Sequence, residues 1–405
     1  MLPELCLAVV MLGLTAYAVL GGADFGAAFW HLGGRSEAQR EHAYAAMGPV
    51  WEANHVWLIF VLAICWTAYP EAFASIFSTL TVPLFLAALG IILRGTAYAV
   101  HAGTAREIER QAIDAVFSVS SILTPFALGT AIGGIASGRV PVGNAEGDLV
   151  TSWVNPTSFA IGVIAVATGV YLAAVYLAGD AARAGLDDLA AAFRARALAA
   201  GAVTGAVALG GLLVVSLDSE MLRRGLFGWP AILALIASAA AGVATLELVR
   251  RARFEPARYL ASAAVAAIVV GWALAQRPEL LPGLTVEQAA AERSTLIATI
   301  VGVAVGAIVL VPSLTLLFGL VLHGRFDREA ARADVERRGD ALAVRPRPIA
   351  GLAILALAVG LPSTLVPDGG PVQAVGVVAL LVFLALGSVA LGSNAAAGAA
   401  RDEEG

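Results

Sequence analysis

Eleven apolar stretches, each near the length of a membrane-crossing helix, recur through the 405 residues and leave little room for another architecture. Crossing the hydrocarbon core takes about 20 apolar residues in a helix. The stretches fall at roughly 5–30, 49–70, 74–98, 116–137, 157–179, 197–217, 229–249, 259–275, 295–322, 349–366 and 372–394. A helix satisfies its own backbone hydrogen bonds in lipid. The expected fold is therefore an all-α integral membrane protein, a polytopic helix bundle of about eleven transmembrane helices. Hydrophobic residues make up 59% of the chain and charged ones 14%, which argues against a soluble domain. A net charge of -5, with no basic patch interleaved with aromatics, argues against a nucleic-acid role.

All 25 cationic residues are arginine, so orientation can be read from one residue type. An extracytoplasmic N-terminus puts 20 of them inside and leaves Arg139, Arg223, Arg224, Arg277 and Arg293 outside, which predicts a multi-pass cell-membrane protein of bacterial or archaeal type with its C-terminus in the cytoplasm. The first stretch lacks a basic leader, begins with Glu4 and runs into Asp24, so it reads as a membrane helix rather than a cleavable signal. Cys6 and Cys65 fall toward the same ends of adjacent antiparallel helices. Two buried free thiols are the commoner arrangement there than a disulfide.

The first four helices carry nearly all the intramembrane polarity, namely Asp24, Glu52, Asn54, His55, Arg94 and a polar fourth helix from Ser118 to Gly134. The later helices are close to pure Ala, Val, Leu and Gly and read as scaffold and lipid-facing mass. The segment 327–348 mixes charges of both signs and reads as a solvated linker before two appended helices. The small-xxx-small pairs Gly129/Gly133, Gly201/Gly205 and Gly302/Gly306 are expected by chance among 43 glycines and carry almost no weight.

The densest polarity is the run Gly48-Pro49-Val50-Trp51-Glu52-Ala53-Asn54-His55-Val56-Trp57. An ionisable residue inside a membrane is a functional-site hypothesis by default. With the N-terminus outside, Asp24 nears the inner end of the first helix, Glu52 begins the second and Arg94 closes the third. Three charges distant in sequence thus converge. A carboxylate in low dielectric tends to take up a proton unless paired, so Asp24 and Glu52 suit a proton relay. The competing reading is an ion pair that ties three helices together. Arg94 favours that structural part, because a guanidinium stays protonated. Glu52 favours the relay, because Asn54 and His55 extend a hydrogen-bonded path, while Asp24 suits either.

His55 could ligate a haem, but no second ligand has the right surroundings, and a hydrogen-bonded or proton-carrying imidazole fits better. Trp51 and Trp57 suit either interfacial anchors or walls of an internal cavity, and Trp57, a turn and a half further inward, is the better cavity candidate. No metal-ligand spacing, phosphate loop or nucleophile motif appears, so no catalytic centre is expected on this chain alone.

The run resembles the G-P-x-W-D-G-N-x-V-W signature of subunit II of the cytochrome bd-type quinol oxidases. Gly21-Gly22-Ala23-Asp24-Phe25-Gly26 is similar to that family's D-G-F-D-x-G. Weaker echoes are Arg94, Pro125 to Gly133, Asn155-Pro156 and Val309-Leu310-Val311-Pro312. The resemblance covers about residues 1–326 and implies a nine-helix core, with 349–405 as two additional helices and a short acidic tail. It implies a heterodimer with a subunit I that carries haems b558, b595 and d and the quinol site, the complex oxidising quinol and reducing oxygen to water. By position, Glu52 matches a carboxylate that feeds protons toward the haems, Trp57 a tryptophan beside an oxygen tunnel, and Asp24 the second acid of the first motif. Three departures stand out: Gly21 replaces the first acid of that motif, Glu52 and Ala53 replace Asp and Gly, and the last two helices exceed the nine-helix pattern.

A proton-coupled secondary transporter with its site at the buried acids is a rival, weakened by the absence of evident inverted repeats with broken helices. A structural membrane scaffold is a third reading.

Overall fold

The computed structural model describes residues 1–46, 51–101 and 107–322 and isolated helical positions between 352 and 386. The linker 327–348 and the side chain of Glu52 lie outside the described residues, as does most of the last two expected helices. The chain divides into two compact units. The first comprises Met1–Ala97 and Asp114–Ser313. The second joins Tyr98–Ile113 to Leu314–Gly405, and its described residues are helical.

Among the described residues eight helices are long and apolar enough to cross a membrane, and a further one, Asn54–Ala68, is apolar but shorter. Together they account for the first nine expected stretches. The elements are α1 (Leu2–Ala16), a π-helical turn (Tyr17–Gly21), α2 (Gly22–Leu32), α3 (Glu37–Ala45), α4 (Trp51–Ala68), α5 (Pro70–Thr79), α6 (Thr81–His101) and α7 (Glu107–Ala136). There follow α8 (Pro156–Arg183), α9 (Asp187–Asp218), α10 (Glu220–Leu226), α11 (Trp229–Arg250), α12 (Phe254–Gln276), the hairpin β1 (Glu279–Leu281) and β2 (Leu284–Thr285), and α13 (Arg293–Leu322).

Two expectations change in the third stretch. Instead of one helix over 74–98 there are two, broken at Leu80. Pro83 accounts for the break, because its ring would clash with the carbonyl four residues back, at Thr79, and it has no N–H to donate there. Nor does Arg94 close a helix: α6 runs on to His101, with no proline between them to stop it. Asn155 and Pro156 open α8 as cap and first residue, the Asn155 side chain accepting from the Ser158 amide at 2.9 Å.

The fifth stretch is scaffold more than lipid-facing mass. Half of the apolar window in α8 is buried, against 6% in α13, and α8 packs on α2, α9 and α12. Glycine allows that closeness. A side chain at Gly26 would collide with the Gly169 carbonyl, and one at Gly169 would meet the Gly22 carbonyl, so α2 and α8 cross backbone to backbone. Gly129 and Gly133 likewise face Gly162 and Ser158, so that pair packs rather than arising by chance alone. Gly205, Gly302 and Gly306 face open space.

At the end of the bundle holding the N-terminus, Arg139 meets both carboxylate oxygens of Asp218 at 2.8 and 2.9 Å, while the Thr157 hydroxyl donates to the same carboxylate at 2.6 Å. This joins the end of α9 to the start of α8. Cys6 and Cys65 are free thiols within one apolar cluster formed by α1, α4 and the hairpin region.

Candidate functional site

Asp24 stands on α2 and Arg94 inside α6, where the two side chains are each 2% exposed. The guanidinium donates to both carboxylate oxygens, at 2.8 and 2.7 Å, and its Nε donates to the Ser121 hydroxyl of α7 at 3.0 Å. The Phe25 ring lies 4.8 Å from the guanidinium carbon and the Phe117 ring 5.3 Å. A bidentate, planar fork between aromatic faces suits arginine and would not suit lysine. Three helices are thereby held at one point.

On α4, His55 Nδ1 lies 3.4 Å from the Tyr17 hydroxyl, and Asn54, buried, donates to the Leu20 carbonyl at 3.3 Å. Both contacts fall on the π-helical turn. Such turns concentrate at functional sites because the widened ladder frees the backbone for outside partners. The Phe25 ring is 6.0 Å from His55 and 6.4 Å from Tyr17. Trp57 is half-buried one turn beyond Asn54 and meets Phe60 edge to face at 6.3 Å.

A third pair had no place in the sequence reading. His31 Nε2 lies 3.6 Å from an Asp114 carboxylate oxygen, its Nδ1 is 3.1 Å from the Arg40 carbonyl, and its ring packs on Tyr44 and Phe117. One signal could have found it. Asp24 and His31 are seven residues apart, two turns along one helix face. Tyr17, set among Ala, Val and Leu, offered no comparable cue.

The resulting arrangement alternates. Asp114 with His31 comes first, then the Phe117 ring, then Arg94 with Asp24, then the Phe25 ring, then Tyr17 with His55. Below it, α7 buries Ser118, Ser120, Ser121, Thr124 and Thr130. Serine and threonine hydroxyls here largely turn back onto carbonyls of their own helix, as Ser121 does to Phe117 at 2.6 Å and Thr124 to Ser120 at 2.8 Å. Of the residues singled out in the sequence, Asp24, Arg94, Asn54 and His55 converge. Trp57 lies to one side, and Glu52 is outside the described residues.

Among the described residues, no three His, Cys, Asp or Glu side chains gather where a metal ion could be held. His55 directs one ring nitrogen to a tyrosine hydroxyl and packs against two aromatic rings, the setting of a hydrogen-bonding imidazole.

The family model for cytochrome bd terminal oxidase subunit II matches residues 2–321. A Bacillus subtilis protein, cytochrome bd ubiquinol oxidase subunit 2, is 27% identical over 129 residues, 32% of this chain and 38% of that one. The Escherichia coli K12 protein cytochrome bd-I ubiquinol oxidase subunit 2 is 26% identical over 172 residues, 40% and 45% of the respective chains. Each match thus spans less than half the relative's own length. A chain in the solved structure of bd oxidase from Geobacillus thermodenitrificans superposes with a TM-score of 0.66 at 25% identity, over 80% of this chain and 99% of that one.

Proposed function

Because the chain belongs to the cytochrome bd terminal oxidase subunit II family, we propose that it is the non-haem subunit of a bd-type quinol oxidase, stabilising a haem-bearing subunit I and shaping proton and oxygen access to it. In that complex the partner's haems would supply oxygen reduction and quinol would supply electrons, and no residue of this chain is assigned as a haem ligand. The N-terminus would lie outside and the C-terminus in the cytoplasm, the arrangement favoured by the arginine distribution.

The observation that carries the reading is the buried Asp24–Arg94 pair standing next to the Tyr17–His55 contact in a multi-pass bundle of this family. Glu52, by its place in the family's motif, would take up protons, and Asn54 and His55 would pass them toward Tyr17. Asp24 engages Arg94 through both oxygens, which supports a clamping part for it beside the route. Trp57 would wall the oxygen path.

Gentle purification of the tagged chain followed by reduced-minus-oxidised spectra tests the assignment. A co-purifying haem-bearing partner is expected. A haem-free chain that moves solute into liposomes would instead establish the transporter. Within the assembled complex, Glu52→Gln should cut oxygen consumption while leaving haem content intact, and full turnover in that variant would remove Glu52 from the proton route.

A further inference from the structure

A groove of about 370 Å³ opens where α8 ends against the turn that joins α11 to α12. Gly179, Ala182, Phe254 and Pro256 give it apolar walls. Arg183, Arg253 and Glu255 supply its charge. The nearby acids are already engaged. Asp180 pairs with Arg183 and accepts from Arg258 at 2.8 Å, and Glu255 lies 3.4 Å from Arg183. Arg253 is exposed and, among the described residues, has no ion pair, while Arg250 and Arg251 share the single carboxylate of Glu247 at 2.7 and 2.5 Å. The lip of the groove therefore carries uncompensated positive charge.

Its depth argues for a lipid over a soluble anion. Two spans end at Arg183 and Arg250 and a third begins at Phe254, so the groove sits where the hydrocarbon layer gives way to headgroups. Tyr259, on α12 just past the groove, is 75% exposed, as befits an interfacial aromatic. The span α11, which leads into the turn that lines the groove, is apolar and almost unburied, 11% of its window, with Val243 69% exposed. Acyl chains would extend into the hydrocarbon beside these spans while a phosphate reaches the arginines.

We propose that this groove binds the phosphate of an acidic phospholipid, with Arg253 as its principal contact and Arg183 as the second. An arginine beside an anionic lipid surface contributes about 1 kcal/mol, roughly a fivefold change in affinity.

Native mass spectrometry of the detergent-purified membrane complex, titrated separately with phosphatidylglycerol, phosphatidylcholine and inorganic phosphate, tests this. Phosphatidylglycerol should be retained in preference to phosphatidylcholine, Arg253→Gln should weaken its retention roughly fivefold, and Glu255→Gln should strengthen it. Equal retention of the two lipids, or retention indifferent to both substitutions, would overturn the proposal. Inorganic phosphate binding as tightly as phosphatidylglycerol would make the groove a soluble-anion site and overturn the lipid assignment. Melting of the lipid-free complex, unchanged by Arg253→Gln, controls for folding.

Discussion

Arg94 grips Asp24 through two guanidinium bonds of 2.7 and 2.8 Å across seventy residues of sequence, with both side chains 2% exposed. Removing one partner of such a pair leaves a buried charge without compensation, at a cost of about 3–5 kcal/mol. Arg94→Gln should therefore lower the melting temperature of the detergent-purified complex sharply, and Asp24→Asn combined with Arg94→Gln should recover much of the loss. A single variant as stable as the parent would show that the pair does not clamp the helices.

The glycine crossing gives an internal contrast. Gly26→Ala forces a methyl into the Gly169 carbonyl, and overpacking of this kind costs typically about 1–3 kcal/mol. Gly205→Ala meets nothing within 4 Å and replaces a poor helix former, so it should be neutral or stabilising by up to about 1 kcal/mol. Thermal melts of the two variants side by side check the sign. A harmless Gly26→Ala would mean that α2 and α8 can separate freely.

Asn54 supplies a side-chain donor to the Leu20 carbonyl within the π-helical turn. Asn54→Leu removes that donor, and a buried polar group left unpaired costs about 1–3 kcal/mol. Faster amide exchange is expected over residues 17–24, with α8 unaffected. Unchanged exchange would show that the wide turn is held by its own helix.

Asp148, in the loop between α7 and α8, accepts from the Thr151 amide at 2.6 Å, the Val150 amide at 2.8 Å and the Thr151 hydroxyl at 3.0 Å, and these bonds hold its carboxyl below the usual value. A depressed carboxyl stabilises the turn fully above the ordinary aspartate pKa of about 3.9 and loses that stabilisation as pH falls through the folded value. Protection of the amides over 148–154, taken relative to their intrinsic exchange rates at each pH, should thus fall on strong acidification. Asp148→Asn keeps an acceptor but no titration, so its protection should follow pH less. Identical profiles for the two would remove the carboxylate from the turn's stability.

The spans were legible because hydrocarbon imposes length and composition together, and nine of the eleven stretches drawn from hydropathy coincide with described apolar helices. The break at Leu80 was also written in the sequence, as Pro83, but an apolar run hides a proline that sits at a tolerated helical position. Arg94 marks no helix end for an energetic reason: a bidentate counter-charge lets a cation sit inside a buried helix, and Asp24, which supplies it, lies seventy residues away. The glycine contacts could not be separated from chance in a chain with 43 of them, because small residues signal contact only once the facing helix is known. The π-helical turn had no signature at all, since five residues of Tyr, Ala, Val, Leu and Gly fit an ordinary helix equally well.

That turn sets the rotational phase of the first rod. Tyr17, Asp24 and His31 are spaced by sevens, and in an uninterrupted α-helix they would form one line. One additional residue in a turn swings everything on its far side by about 100°. Asp24 and His31 keep to the side of Arg94 and Asp114, whereas Tyr17 is carried round to face His55 on α4. A single helix can therefore address different neighbours above and below one turn, and deleting a residue there would pull Tyr17 off His55 while leaving the Arg94 contact in place.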